Sequence, residues 1–148
     1  MFGERLKKRF EFLEHISDAY IAAYGKSLEE AFENAALAMF EVMTDTSKVE
    51  TKIERTFEAS GYDEYELLYD WLEKLLIDYY SENLVFSKFK VEYIEKSSEG
   101  FKLKGRAMGE RFDPSRHESR VEVKAVTYSL MEIYKENEMY VLKFVLDI

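Results

Sequence analysis

The sequence predicts an α+β domain: a largely antiparallel β-sheet, with a mixed sheet as the variant left open, and two α-helices packed on one face. Three observations predict it. Two segments carry apolar residues at helical spacing directly behind a capping signature. Seven others read as strands from their alternation or their β-branched and aromatic content. The strands follow one another across short turn-like stretches, so neighbours pair antiparallel and the helices must cover the apolar side. The predicted order is β-β-α-β-α-β-β-β-β.

The first two strands are KRFEFLEH (8–15) and DAYIAAYG (18–25). SLEEAFENAALAMFEVM follows, with Ser27 as N-cap and Glu30 three residues on. Its stripe is Leu28, Ala31, Phe32, Ala35, Ala36, Met39 and Met43. VETKIERTFEA (49–59) alternates Val49, Ile53 and Phe57 with Glu50, Lys52, Glu54 and Glu58, as a strand with one wet face. The second helix repeats the capping box with Asp63 and Glu66, buries Leu67, Leu68, Trp71, Leu72, Leu75, Leu76 and Tyr79, and ends at Asn83. Strands at 85–97, 100–111 and 120–136 come next, and MYVLKFVLDI (139–148) is the last. KSSEG (96–100) and KENE (135–138) are hairpin turns without a strong type I′ signature.

The totals narrow the function. A chain of 148 residues makes one domain, 1–148, and 47% apolar content with 16% aromatic supplies an ordinary core. No apolar run approaches a membrane span or a signal peptide, so a cytoplasmic location is expected. The absence of cysteine removes disulfides, thiolate chemistry and Cys-ligated zinc. Thirty acids against 21 bases give a charge of −9, which disfavours direct binding to nucleic-acid phosphates and suits a basic partner or a cation.

Two stretches could carry chemistry. In EHISD (14–18), His15 and Asp18 stand at the junction of the first two strands. In GERFDPSRHESRVEVKAVTY (109–128), Asp113-Pro114 opens a turn and His117 sits in a charged loop. Lys124, Thr127 and Tyr128 follow on an otherwise core-like strand. No nucleophile–base spacing, serine elbow, phosphate loop or paired-histidine metal motif is present, and Ser17, Ser115 and Ser129 lack the surroundings of a nucleophile. No independent catalytic site is visible, and solvated turns remain the plainer reading of both stretches.

Taken together these stretches resemble the archease family, over about residues 9–148. The family's EHTAD stands here as EHISD, its GxSLEEAFExAALAMFxVM as GKSLEEAFENAALAMFEVM, and its LLxxWLxxLL as Leu67-Leu68, Trp71-Leu72 and Leu75-Leu76. Its GExxDxxxHxxxxxVKAVTY stands at Gly109–Tyr128, and its terminal DI is Asp147-Ile148. Five motifs in register make the resemblance specific. Ile16 and Ser17 replace Thr and Ala, and Ser129 and Leu130 replace the usual His-Asp after KAVTY, so no role of that histidine carries over.

The resemblance implies a non-enzyme: an accessory protein that activates the RtcB-type RNA ligase of tRNA splicing. It would promote guanylylation of the ligase and its repeated turnover, linked to GTP and tRNA only through the ligase. It also implies a divalent-metal site at Asp18, Asp147 and the terminal carboxylate of Ile148, Ca²⁺ first, with Mg²⁺ or Mn²⁺ as alternatives. His15, Asp113, His117, Lys124, Thr127 and Tyr128 would support that site or contact the ligase. Two bare carboxylates about 4 Å apart repel by about 4 kcal/mol at an effective dielectric near 20, so such a cluster takes up a proton, a base or a cation. All-oxygen ligands suit a hard ion. The alternative is salt bridging of these acids by Lys124 or Lys143. The competing functions are a small metal-dependent hydrolase using the same carboxylates, and a chaperone-like binding module.

Overall fold

The computed structural model describes residues 8–14 and 18–148. Its elements are β1 (Phe10–Leu13), β2 (Ala19–Gly25), α1 (Leu28–Met43), a 3₁₀ turn (Thr46–Lys48), β3 (Ile53–Gly61), α2 (Glu64–Glu82), β4 (Leu84–Ser97), β5 (Gly100–Arg111), β6 (Ala125–Val126), β7 (Glu132–Glu136) and β8 (Met139–Asp147). The class is α+β, as expected, and the described strand pairs are antiparallel. The strands divide over two sheets instead of one. One runs β1-β2-β8-β6, with β7 also paired to β8; the other runs β3-β5-β4.

Local signals set the helix starts. Ser27 Oγ accepts the Glu30 N–H at 3.0 Å, and Glu30 reaches back to the Lys26 N–H at 2.9 Å. Asp63 and Glu66 repeat this, on the Glu66 and Tyr62 amides. Asn83 ends α2 in the left-handed conformation that terminates helices. α1 is buried well beyond its predicted stripe, with Leu37, Ala38 and Phe40 also inside, because it packs on β2 and β8 of one sheet and on β4 of the other. α2 lies on β3 and β5 and reaches β6.

The core centres on Trp71, which is fully buried together with Phe32, Phe40 and Phe86. Its indole N–H donates to Phe32 O at 3.1 Å, so no buried donor is left unsatisfied there. Gly105 on β5 makes room for the ring: a Cβ at that position would meet the indole at 3.0 Å. A second apolar cluster, Ala22, Tyr24, Met139 and Val141, buries the other face of β2 and β8. The outer strands of the smaller sheet are blunted by helix side chains. Asp70 takes the Ser60 N–H, Lys74 donates to Glu58 O, and Glu33 takes the Val91 N–H.

Two predicted strands differ. The third begins at Ile53 instead of Val49, because the Glu50 N–H goes to the Glu110 carboxylate at 2.7 Å and not to a ladder. Residues 120–136 are not one strand. Only Ala125–Val126 and Glu132–Glu136 are extended, and both pair with β8 in succession. Residues 127–131 step out between them, with Leu130 at φ 56°. The final hairpin turn places both Asn137 and Glu138 at positive φ, as a type I′ turn requires despite its sequence.

Candidate functional site

β2 and β8 pair from Gly25↔Tyr140 to Ala19↔Leu146. One further step of that register sets Asp18 against Asp147. Antiparallel neighbours stand about 5 Å apart at Cα, so the two residues share one corner of the larger sheet. Asp18 is half-buried, Asp147 is exposed, and Ile148 packs partly on the core. β6 flanks this corner: Ala125 pairs with Asp147, and the Lys124 N–H donates to Asp147 O at 2.7 Å. Thr127 Oγ1 donates to Val145 O at 2.8 Å. Lys124 and Thr127 therefore fix the end of β8 by hydrogen bonds to its carbonyls. Lys143 Nζ sits over the Tyr134 ring at 5.7 Å.

Among the described residues, Asp18, Asp147 and Ile148 would offer oxygen donors at this corner, a set that would fit a hard divalent cation. Among the described residues, no group of three or more His, Cys, Asp and Glu side chains is placed to hold a metal ion. His15 lies outside the described residues.

The other histidine is occupied. His117 is only 3% exposed, against the solvated loop expected from its neighbours. Its Nδ1 accepts the Asp113 N–H at 2.8 Å, so Nε2 carries the proton and lies 3.0 Å from Glu110 Oε2. Neither nitrogen is available to a metal in this arrangement. Glu110 also binds Arg116, as well as the Glu50 N–H. Burial pushes its carboxyl up, but Arg116, the Glu50 amide and His117 together outweigh that and hold it at about 2. Asp113 accepts from both the amide and the hydroxyl of Ser115, which keep its carboxyl below the usual range. Asp113-Pro114 thus forms the expected turn.

Sequence reasoning did not find Glu110, Arg116 or Arg120. Arg120 donates to the Glu41 and Thr44 carbonyls at the end of α1, and its amide binds Met43 O, so residues 112–124 are strapped to that helix. The only local signal was an acid and two arginines near an isolated histidine. Tyr128 leaves the sheet and stacks on Tyr69 of α2.

The family model of the archease protein family matches residues 10–148. The chain belongs to the archease family. Protein archease of Sulfurisphaera tokodaii is 54% identical over 141 residues, covering 95% of this chain and 99% of that one. Protein archease of Methanothermobacter thermautotrophicus is 51% identical over the same shares. The solution structure of Methanobacterium thermoautotrophicum protein 1598 superposes with a TM-score of 0.83 at 51% identity, covering 95% of this chain and 99% of that one. A Thermotoga maritima crystal structure described as an archease, "possible chaperone", has the same fold at TM-score 0.57 and 19% identity, covering 93% and 96%. Among the described residues of this archease-family chain, no helix is long and apolar enough to cross a membrane.

Proposed function

We propose that this archease-family chain is an accessory protein that activates an RtcB-type RNA ligase, promoting its guanylylation and repeated turnover in tRNA splicing, without catalysing a reaction itself. The observation that supports this reading is the β2–β8 register, which one step beyond Ala19↔Leu146 sets Asp18 opposite Asp147, with Lys124 and Thr127 bonded to carbonyls at the end of β8. The carboxylates of Asp18 and Asp147 and the main-chain oxygens of Ile148 would hold a divalent cation, Ca²⁺ first and Mg²⁺ or Mn²⁺ otherwise. When bound, such an ion supplies positive charge that offsets carboxylate repulsion and attracts phosphate oxygens. The chain's own part is to hold Asp147 at the end of β8 and Asp18 directly before β2, and so to present both acids at one corner of the sheet.

The test is guanylylation and multiple-turnover ligation by the ligase, with GTP and Mn²⁺, in the presence and absence of this protein. Stimulation that disappears in Asp18→Asn and Asp147→Asn, with both variants folded by circular dichroism, is the expected result. Equal turnover with and without the wild-type protein overturns the reading. A chaperone-like module is the second reading, prompted by exposed Tyr62, Tyr128 and Leu130. It predicts instead that aggregation of an unrelated unfolding protein is suppressed whether or not Asp18 is changed.

A further inference from the structure

A second surface lies beside the carboxylate corner, along the outer side of α2. Tyr69 and Tyr128 stack there with ring centres 4.4 Å apart and planes 13° apart. Tyr128 is nevertheless 52% exposed, so its ring forms the outer layer of a two-ring platform. The turn that presents it is firmly held. Thr127 Oγ1 binds Val145 O at 2.8 Å, the Ser129 N–H binds Thr127 Oγ1 at 3.2 Å, and the Met131 N–H binds Tyr128 O at 3.2 Å. The same turn keeps Leu130 left-handed and 53% exposed. A leucine in that conformation is strained, and a side chain left half-exposed offsets little of that strain.

Next to the platform is an open groove of about 600 Å³ between α2 and β6. The buried Leu76 and Val126 line it, together with Ile77, Tyr80, Glu73 and Lys124 among others. The Tyr80 hydroxyl donates to Val123 O at 2.5 Å and fixes one wall. The charge acting on this surface is acidic. Asp63, Glu66 and Glu73 lie within electrostatic reach of Tyr128, and the Tyr79 hydroxyl donates to Glu122 Oε1 at 3.5 Å. Among the described residues, Lys124 is the one base lining the groove. Burial and these carboxylates together raise the Tyr128 hydroxyl above its ordinary value.

An aromatic face ringed by carboxylates attracts a guanidinium through the ring quadrupole and by charge at once. An apolar groove alongside it seats an aliphatic side chain. Anionic partners, nucleic acid among them, meet repulsion at the platform. We propose that this surface binds a basic amphipathic segment of a partner protein, with an arginine stacked on Tyr128 between Asp63, Glu66 and Glu73 and an apolar side chain seated over Leu76 and Val126. The segment would run along β6 past Lys124, whose N–H is bonded to Asp147 O, and so would approach the carboxylate corner. The inference does not rest on ligase activation, since any partner carrying such a segment fits.

The experiment is a titration of the isotope-labelled full chain, followed by amide NMR shifts, with a synthetic helical peptide of arginine and leucine at i, i+3 and i+4. The control peptide carries glutamate for arginine. The expected result is saturable binding of the arginine peptide, with shifts concentrated on residues 62–80 and 122–131, and none with the control. Glu73→Lys and Tyr128→Ala should each weaken binding about tenfold, equivalent to about 1.4 kcal/mol, and added salt should weaken it further. Tyr128→Leu, which keeps a bulky side chain against Tyr69, should also weaken it. Shifts centred elsewhere, equal binding of both peptides, insensitivity to these substitutions, or self-association occupying the groove without peptide would each overturn the proposal. Failure here with ligase stimulation intact would remove this surface and leave the accessory role standing; failure of stimulation with peptide binding intact would do the reverse.

Discussion

The region around Trp71 and the segment from Phe112 to Glu138 are held by different forces. Around Trp71, β4 and β5 run for 14 and 12 residues, and Phe40, Phe57, Phe86 and Phe89 meet edge to face or tilted. That region is stabilised by apolar burial, which scales with area and has little direction. The 112–138 segment has strands of two and five residues and is fixed by directed polar contacts: Arg120 on the α1 carbonyls, Glu110 on His117 and Arg116, and Thr127 on β8. The difference separates stability from placement. Lys124 and Thr127, which border the carboxylate corner, lie on the polar-held segment, where a single lost hydrogen bond can shift a side chain without unfolding the domain.

Trp71→Ala would break the first region. It removes the largest core side chain and its bond to Phe32 O, and should cost about 3–5 kcal/mol, measured by chemical denaturation. A loss below about 1 kcal/mol would mean that the core tolerates the cavity and that the contrast is misdrawn.

Glu110→Gln strikes the second region and should cost about 2 kcal/mol at neutral pH, since it removes a buried charge-assisted acceptor. The Glu110 carboxyl sits at about 2 in the folded state against an ordinary 4.5. Its stabilisation is therefore fully present above pH 4.5 and is lost as pH falls from there toward 2. Wild type should lose more stability than the variant between pH 5 and pH 3; parallel losses would show that another group governs acid sensitivity.

Arg120→Ala should cost about 1 kcal/mol, with hydrogen exchange quickening in the last turn of α1 and in 112–124 while the β4–β5 hairpin is unchanged. Uniform quickening would show that the strap and the core unfold together. Leu130→Gly is the smallest and carries the opposite sign. Relief of the left-handed conformation, offset by the greater freedom of unfolded glycine, should raise stability by about 0.5 kcal/mol. A loss of stability in thermal melts would show that Leu130 contributes packing that its exposure does not suggest.

Much of the first region was legible in the sequence. Trp71 and Phe32 fall on helical stripes, and Ile53 and Phe57 of β3 alternate with Glu54 and Glu58, because each signal repeats within a few residues. The second region misled. Val121, Val123, Ala125 and Val126 read as one strand with Met131 and Ile133, and nothing local records that β8 accepts them in two pieces. His117 read as solvated because its neighbours are charged, yet those charges are turned onto each other and leave the ring inside. For the carboxylate corner, Asp18 and Asp147 were marked by family motifs, but their opposition follows from the β2–β8 register.

The helix ends show where the sequence by itself sufficed and where it did not. Both N-termini were determined locally: Ser27 with Glu30 and Asp63 with Glu66 satisfy amides within four residues, so the sequence contains the whole interaction. Neither helix carries a basic residue in its last turn. Their C-terminal carbonyls are met instead by Arg120, 79 residues from Glu41, and by Arg111, 29 residues from Glu82. An arginine so distant becomes a cap only when the chain returns to the helix end, and that return was decided by the packing of α1 and α2 on their sheets. The stacking of Tyr128 on Tyr69 arose in the same way, from a turn that β8 alone positions.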